Sequence, residues 1–322
     1  MIRVAVSIIL LAAVGMQSGG AFAQGYPNRP IRVIVPTGAG DSCDVISRLV
    51  GPKVGERLGQ PLTVDNRPGA GGQLGLQLLT QAAPDGYTLA CGQGGNMVIV
   101  PIAYGKVAYD TFKDFAPVQL SVSNFLALVV HPSVPFKSVK DLVVYGRANP
   151  GKLAFGSNGE GAFIHFSIEL LRTKGGFTYL HVPYKSASAV FIEIIGGRID
   201  ATISSFISVQ PHVASGRLRL LGIGNATRSP KYPDFPTIAE TVPGYENGGW
   251  FGFIAPAGTP KDIVVLLNRE LNRAMSLPDV RDKLDTFGLE VHAESAEYFT
   301  DVIRRDFEKW GKLARDIGFK PL

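Results

Sequence analysis

The sequence predicts an α/β chain built as two similar lobes, and three observations carry that prediction. Short β-branched runs alternate with helix-spaced apolar runs, which implies parallel strands with helices on both faces. The alternation occurs once near the start and again from Leu126. Each set contains a glycine-rich loop that leaves a strand and leads directly into a helix.

In the first set, residues 31–35 (Ile-Arg-Val-Ile-Val) read as a strand closed by Pro36 and Gly38. Val45, Ile46, Leu49, Val50, Val54 and Leu58 keep helical spacing, with Gly59 past the end. Residues 62–65 form a second strand, 68–72 a loop and 74–83 a second helix. Pro84-Asp85-Gly86 turns the chain into a strand over 87–91. In the second set, strands over 126–130, 153–156, 179–182, 199–203 and 218–223 alternate with helices. Those helices cover 139–148, a segment ending near Lys174, 187–195 and 209–214. The last third is mostly helical. Pro260 suits a helix start, Pro278 opens another helix, and Ser295 caps a long one carrying Phe299, Ile303, Phe307, Trp310 and Ala314. This tail is expected to pack back on the first lobe.

The N-terminus specifies a compartment. Met1-Ile2-Arg3 is a short basic start, residues 4–14 are apolar apart from Ser7, and Ala21-Phe22-Ala23 precedes Gln24. That is the layout of a secretory signal peptide over 1–23, cleaved after Ala23. The apolar run falls short of the roughly 20 residues that cross a bilayer. The remaining ~300 residues suit two domains, and the expected location is periplasmic. The formal charge of +5 becomes +4 without Arg3. Basic residues are scattered, with none of the clustering that nucleic-acid binding requires. A mildly positive surface favours the approach of anions. Cys43 and Cys91 each follow or end a strand, and export permits a disulfide. Spacing does not fix the geometry, and the favoured reading is two unpaired, partly buried thiols. Zinc spacing is absent, and neither a metal nor a cofactor is expected.

Two loops are alike in the chemistry they offer. The first is Pro36-Thr-Gly-Ala-Gly-Asp-Ser-Cys-Asp44 and the second Phe155-Gly-Ser-Asn-Gly-Glu-Gly-Ala162. Glycine lets backbone approach a ligand closely. A helix N-terminus leaves N–H groups unpaired and partly positive, so it binds anions without Lys or Arg. Such loops lie at the carboxyl ends of strands, where open α/β sheets bind ligands. One from each lobe would make a clamp. The bland alternative is a pair of ordinary turns, with Asp41 or Ser42 capping the first helix. Neither loop matches G-x-x-x-x-G-K-[ST] or G-x-G-x-x-G.

An enzyme is disfavoured. Neither G-x-S-x-G nor H-E-x-x-H occurs, and the five histidines (131, 165, 181, 212, 292) are dispersed. His165 sits one turn into the second loop's helix and is read as bracing that loop, with ligand contact the alternative. Trp250 either lines the cleft between lobes or is core.

Several segments together carry a family resemblance. They are Asp65-Asn-Arg-Pro-Gly-Ala-Gly-Gly72, Ala83-Pro-Asp-Gly-Tyr-Thr-Leu89, His181-Val-Pro-Tyr-Lys185, Gly196-Gly-Arg-Ile-Asp200 and Ala255-Pro-Ala-Gly-Thr-Pro260. In order and spacing the chain resembles the periplasmic solute-binding receptors of tripartite tricarboxylate transporters, called Bug proteins in Bordetella. The resemblance implies a type II periplasmic-binding-protein fold. It places lobe 1 at 24–124 and 246–322 and lobe 2 at 125–245, with the ligand in the cleft between them. It also implies a carboxylate held by the two loops, delivery to two integral membrane transporter subunits, and lobe closure by a hinge. A monomer is expected.

The departures from the family pattern bear on the ligand. Cys43 stands where many relatives carry Thr or Ser, and Thr37 where Phe is common. Ala162 and Phe163 replace small hydroxyl residues, Ser204-Ser205 an Asp-Asn pair, and Ser186 a Gly. Losing an Asp removes repulsion of a second carboxylate, and Ala with Phe gives a more apolar wall that can stack on a ring. These departures point to an aromatic or otherwise bulky carboxylate, for example a dicarboxylate such as terephthalate with Ser204 or Ser205 donating to its far end; the alternative is neutral drift at positions that never touch the ligand. The candidate contacts in the first lobe are Thr37, Ala39, Gly40, Ser42, Cys43 and Gln93, with Trp250 at the cleft. In the second they are Ser157, Asn158, Gly161, Ala162, Phe163, His165, Ser204 and Ser205. The alternatives to a transport receptor are a ligand sensor docking on a membrane kinase and, more remotely, a periplasmic hydrolase.

Overall fold

The computed structural model describes residues 25–322, so the signal-peptide reading falls outside the described residues. The first set begins with β1 (Ile31–Val35), whose β-branched side chains are buried. Helix α1 (Ser42–Leu58) follows, capped at its start by the Asp41 side chain and closed by Gly59 in the left-handed region. Then come β2 (Leu62–Asn66), α2 (Gln73–Thr80) and β3 (Thr88–Gln93). A wide turn over Gly95–Ile99 leads into the short α3 (Val100–Tyr104).

A strand of 16 residues, β4 (Phe115–Val130), then enters the second set. That set holds α4 (Val139–Ala148), β5 (Ala154–Ser157), α5 (Phe163–Gly175), β6 (Leu180–Pro183) and α6 (Ala187–Ile195). It continues through β7 (Ala201–Ser205), α7 (Phe206–Ala214) and β8 (Arg219–Ile223). The chain returns through β9 (Gly248–Pro256) and ends in α8 (Lys261–Met275), α9 (Pro278–Thr286), β10 (Leu289–Val291) and α10 (Ala296–Asp316).

The strands order as β2-β1-β3-β9-β4-β7-β5-β6, with β8 and β10 also on β4. The predicted parallel pairs form within each set: β1 with β2 and β3, and β5 with β6 and β7. Two antiparallel strands the pattern did not predict, β9 and the first two-thirds of β4, bind the sets together. Residues 115–125 of β4 pair with β9, and residues 126–130 pair with β7. Pro117 reads as a strand breaker because it has no N–H to donate. The structure accommodates it at a shift of register between Pro117 and Gln119, where a bulge needs no ladder bond.

Three apolar clusters fill the fold. One lies under α1 and α8 (Val33, Ile46, Phe253, Leu271) and one under α6 and α7 (Val129, Val190, Ile194, Phe206). The largest runs from Leu76, Trp250 and Phe299 through Trp310 to Phe155 and Phe166. Helix α10 crosses this last cluster: the Trp310 ring meets Phe163 edge-on at 5.6 Å and Phe166 at 6.3 Å. The tail therefore packs on both sets of strands rather than on the first alone. Helix α2 bears directly on the first glycine-rich loop. A Cβ on Gly75 would come within 2.8 Å of the Pro36 Cα, so only glycine allows this approach.

Candidate functional site

The two loops differ in how much of their hydrogen-bonding capacity is already used. In the first, the Asp41 carboxylate accepts from the Cys43 N–H, and Asp44 accepts from the Gly40 N–H at 2.9 Å. Asp44 also takes Arg48 Nε and Asn66 Nδ2. Burial alone would raise the Asp44 carboxyl, but these donors outweigh it and hold it below its ordinary value. This N-terminus is thus largely occupied by its own carboxylates. Among the described residues, the N–H groups of Gly38 and Ala39 find no partner, while the Ser42 N–H lies toward the Asp41 carboxylate and Thr37 Oγ1 is buried beside it.

The second loop is open. Ala162 is the N-cap of α5 with extended geometry (φ −77°, ψ 162°), has no side-chain acceptor, and is followed by no acid in the first turn. Among the described residues, the N–H groups of Asn158, Glu160, Phe163, Ile164 and His165 have no protein partner. A helix start in this state attracts an anion through its unpaired donors and its dipole together.

The loop's shape is held from below. The Gly161 N–H donates to His165 Nδ1 at 3.0 Å, which is the bracing role read for His165. Ser157 Oγ accepts from the Gly159 N–H and lies 2.7 Å from His181 Nε2, so this hydroxyl is already engaged. The His165 and His181 rings stack with centroids 3.9 Å apart and planes 6° off parallel. Gly161 has φ +69°, and a Cβ there would reach Leu322 Cδ1 at 3.0 Å and Ala103 Cβ at 3.1 Å. The loop therefore rests on α3 and on the C-terminal segment, whose Leu322 N–H donates to Ala103 O.

Burial pushes both imidazoles toward the neutral form, and the neighbouring His165 charge adds to this at His181, which falls to about 4. Glu169 opposes the shift at both rings. An unfolded His181 titrates near 6.5. Between about 6.5 and about 4 the unfolded chain then binds a proton that the folded chain does not, so stability falls as pH drops through that window. Thermal melts at stepped pH check this. The melting temperature is expected to decline there, with a shallower decline in His181→Phe.

The other predicted positions are dispersed. Cys43 is bonded to Cys91, with Cα atoms 5.7 Å apart. This overturns the reading of two free thiols. The first turn of α1 packs directly over β3, bringing two residues 48 apart in sequence into bonding range, and the sulfur is buried and unavailable to a ligand. Phe163 is only partly buried, but its ring packs on Trp310. Gln93 donates its N–H to Asn96 Oδ1. Ser204 is buried, while Ser205 Oγ accepts from Asn124 Nδ2 at 3.5 Å where β4 changes partners. No hydrogen bond among the described residues joins the two loops.

Trp250 is buried, and its Nε1 donates to Asp306 Oδ2 at 2.6 Å. It lines a cavity of about 460 Å³ beside the crossing strands, together with Asn124, Asn225, Asn247, Asp306 and Lys309. Sequence reasoning missed all five of these partners. They come from β4, from the segment between β8 and β9, and from α10, and no motif links them.

Comparison with known proteins adds the following. The family described as "Tripartite tricarboxylate transporter family receptor" matches residues 46–319. A protein of Pseudomonas sp. strain P51, encoded between tcbD and tcbE, is 37% identical over 290 residues, covering 89% of this chain and 86% of its own. BugT of Bordetella pertussis is 32% identical over 318 residues, 97% of this chain and 96% of its own. Among solved structures, R. palustris Rpa4515 with adipate has a TM-score of 0.81 at 32% identity, over 92% of this chain and all of that one. MatC of Rhodopseudomonas palustris with bound malate scores 0.76 at 29% identity, over 89% of this chain and 99% of that one.

Proposed function

This chain belongs to the family of tripartite tricarboxylate transporter receptors, and from that membership we propose that it is a periplasmic receptor that captures a small carboxylate. In this reading residues 24–124 with 246–322 form one lobe and 125–245 the other, with β4 and β9 as the crossing strands. The ligand stabilises the closed form because it touches both lobes. The receptor, a monomer, then delivers it to two integral membrane subunits. The observation that carries the reading is the unfilled N-terminus of α5: a set of unpaired backbone donors at a helix start whose N-cap, Ala162, supplies no acceptor. That no helix of the described residues is long and apolar enough to cross a membrane accords with a receptor that works beside the transporter.

The asymmetry of the loops assigns parts. The second loop seats the charged carboxylate. The first, already holding Asp41 and Asp44, approaches with the N–H groups of Gly38 and Ala39 and with Thr37. Adipate and malate, seen in two similar proteins, are both dicarboxylates. An aromatic dicarboxylate such as terephthalate is the finer reading. Its support is narrower than the sequence implied, because Cys43 is spent in the disulfide and Phe163 on Trp310. What remains is Ala162, which carries no hydroxyl, and the Ser204-Ser205 pair.

Calorimetric titration with adipate, malate, citrate, glutamate, benzoate and terephthalate tests both levels. Saturable binding of at least one of these carboxylates is expected, and terephthalate should bind more tightly than benzoate. Binding of citrate or glutamate alone would sink the aromatic reading. No binding by any of the six would sink the receptor assignment for this ligand class.

A further inference from the structure

We propose that His165 and His181 act as one positioning unit for the carboxylate-seating loop, holding it in shape while both rings are neutral and loosening it in acid. The proposal rests on the reading of that loop as the anion seat. It goes beyond it in naming what sets the loop's geometry and what releases it.

Loop residues 157–161 are tied at both ends to the stacked pair. Gly161 N–H donates to His165 Nδ1, so that nitrogen carries no proton and the ring is the Nε2–H tautomer. At the other end, Ser157 Oγ bridges His181 Nε2 and the Gly159 N–H. Two rings stacked at 3.9 Å cannot both become cations without strong mutual repulsion. The partly positive start of α5 acts in the same sense. A proton arriving on His165 Nδ1 removes the one acceptor the Gly161 N–H has among the described residues. The loop then loses a tie beside the N-cap that directs the Phe163 and Ile164 donors.

The charged and titratable surroundings set the direction. Glu160 and Glu169 face the pair and favour protonation, but Glu169 is already committed to Arg172 and to the Tyr179 hydroxyl. From the C-terminal segment the neighbour is the uncharged Phe319 ring, 6.1 Å from His165. Burial of both imidazoles therefore prevails near neutral pH.

Two measurements test this, and the first needs no ligand. Nitrogen-15 imidazole spectra of the full chain should show His165 as the Nε2–H tautomer at neutral pH. The Gly161 amide should shift in step with His165 protonation on acidification below the ordinary imidazole range. The second is adipate titration of wild type and variants at matched pH, which cancels protonation of the ligand itself. His165→Leu, with no acceptor, should bind about tenfold more weakly at neutral pH, the effect of one lost hydrogen-bond partner. His165→Gln, whose Oε1 can accept but does not titrate, should recover affinity and show a flatter pH profile than wild type. The proposal is overturned by a proton on His165 Nδ1 at neutral pH. It is equally overturned if His165→Leu retains the wild-type affinity and pH profile. Failure of every form to bind adipate, with the spectra as expected, would remove the anion-seat reading and the release it implies, leaving the loop brace in place.

Discussion

Ala162→Asp is expected to stabilise the protein and abolish its function. The N-cap backbone is already extended, as a capping Asp requires. A carboxylate there would satisfy the N–H groups of the first turn, and caps of this kind contribute about 1 kcal/mol relative to Ala. The same carboxylate would occupy the seat assigned to the ligand. Two like charges about 4 Å apart near a protein surface repel by about 4 kcal/mol, so affinity for any carboxylate should fall about 100-fold or more. Ala162→Asn, which caps without charge, should give a smaller loss. Thermal melts and calorimetry on the same samples check both signs together. A variant that gained stability and still bound adipate normally would show that the ligand sits elsewhere.

Loss of the Cys43–Cys91 bond is the second large effect. The bond closes a loop spanning 48 residues that contains α1, β2 and α2. Tying such a loop in the unfolded chain is worth about 4 kcal/mol on the chain-entropy model. Guanidinium unfolding with and without reductant should differ by about that amount. The comparison leaves both sulfur atoms in the core, so no cavity confuses it, and Cys43→Ala/Cys91→Ala should be at least as unstable. Unfolding curves that coincide in the two conditions would mean that the bond does not contribute. The first loop ends at this bond, so reduction should also weaken ligand capture, by less than Ala162→Asp does.

The parts of the fold that sequence reasoning reached are those with a local period. β1, α1, β3 and the strand–helix alternation of the second set announce themselves through β-branched runs and helical spacing closed by Gly and Pro. The crossing strands do not. β9 opens with Gly248 and Gly249 and carries Gly252, a composition that reads as loop. The structure explains these glycines by contact, since a Cβ on Gly252 would lie 2.5 Å from Gln119 O and 2.6 Å from the Phe299 ring. The first part of β4 is masked by Pro117 and by Ser121, Ser123 and Asn124, whose side chains hydrogen-bond Gln119, His292 and Ser205 rather than joining a continuous apolar layer. Both strands are defined by partners far away in sequence, and local propensity cannot report those.

The candidate site divides in the same way. The two loops and the bracing role of His165 followed from local pattern and chemistry. That the first loop is filled by Asp41 and Asp44 was half visible, since both stand where a helix start accepts carboxylates. The disulfide, the His165–His181 stack and the Trp250–Asp306 pair join residues separated by 48, 16 and 56 positions. Only the fold brings them together. Phe163 has a second neighbour that its place in the loop did not announce: its partly buried ring packs edge-on against Trp310 of α10.

The central claim is that backbone N–H groups at the start of α5, with no basic side chain, hold the ligand carboxylate. Amide nitrogen-15 spectra of the protein titrated with adipate test it most directly. The account predicts that the largest shifts fall on Asn158, Glu160, Phe163 and Ile164, with smaller ones at Gly38 and Ala39 as the lobes close. Saturable binding that left those α5 amides unmoved and shifted instead the residues around Trp250 and Asn247 would contradict it.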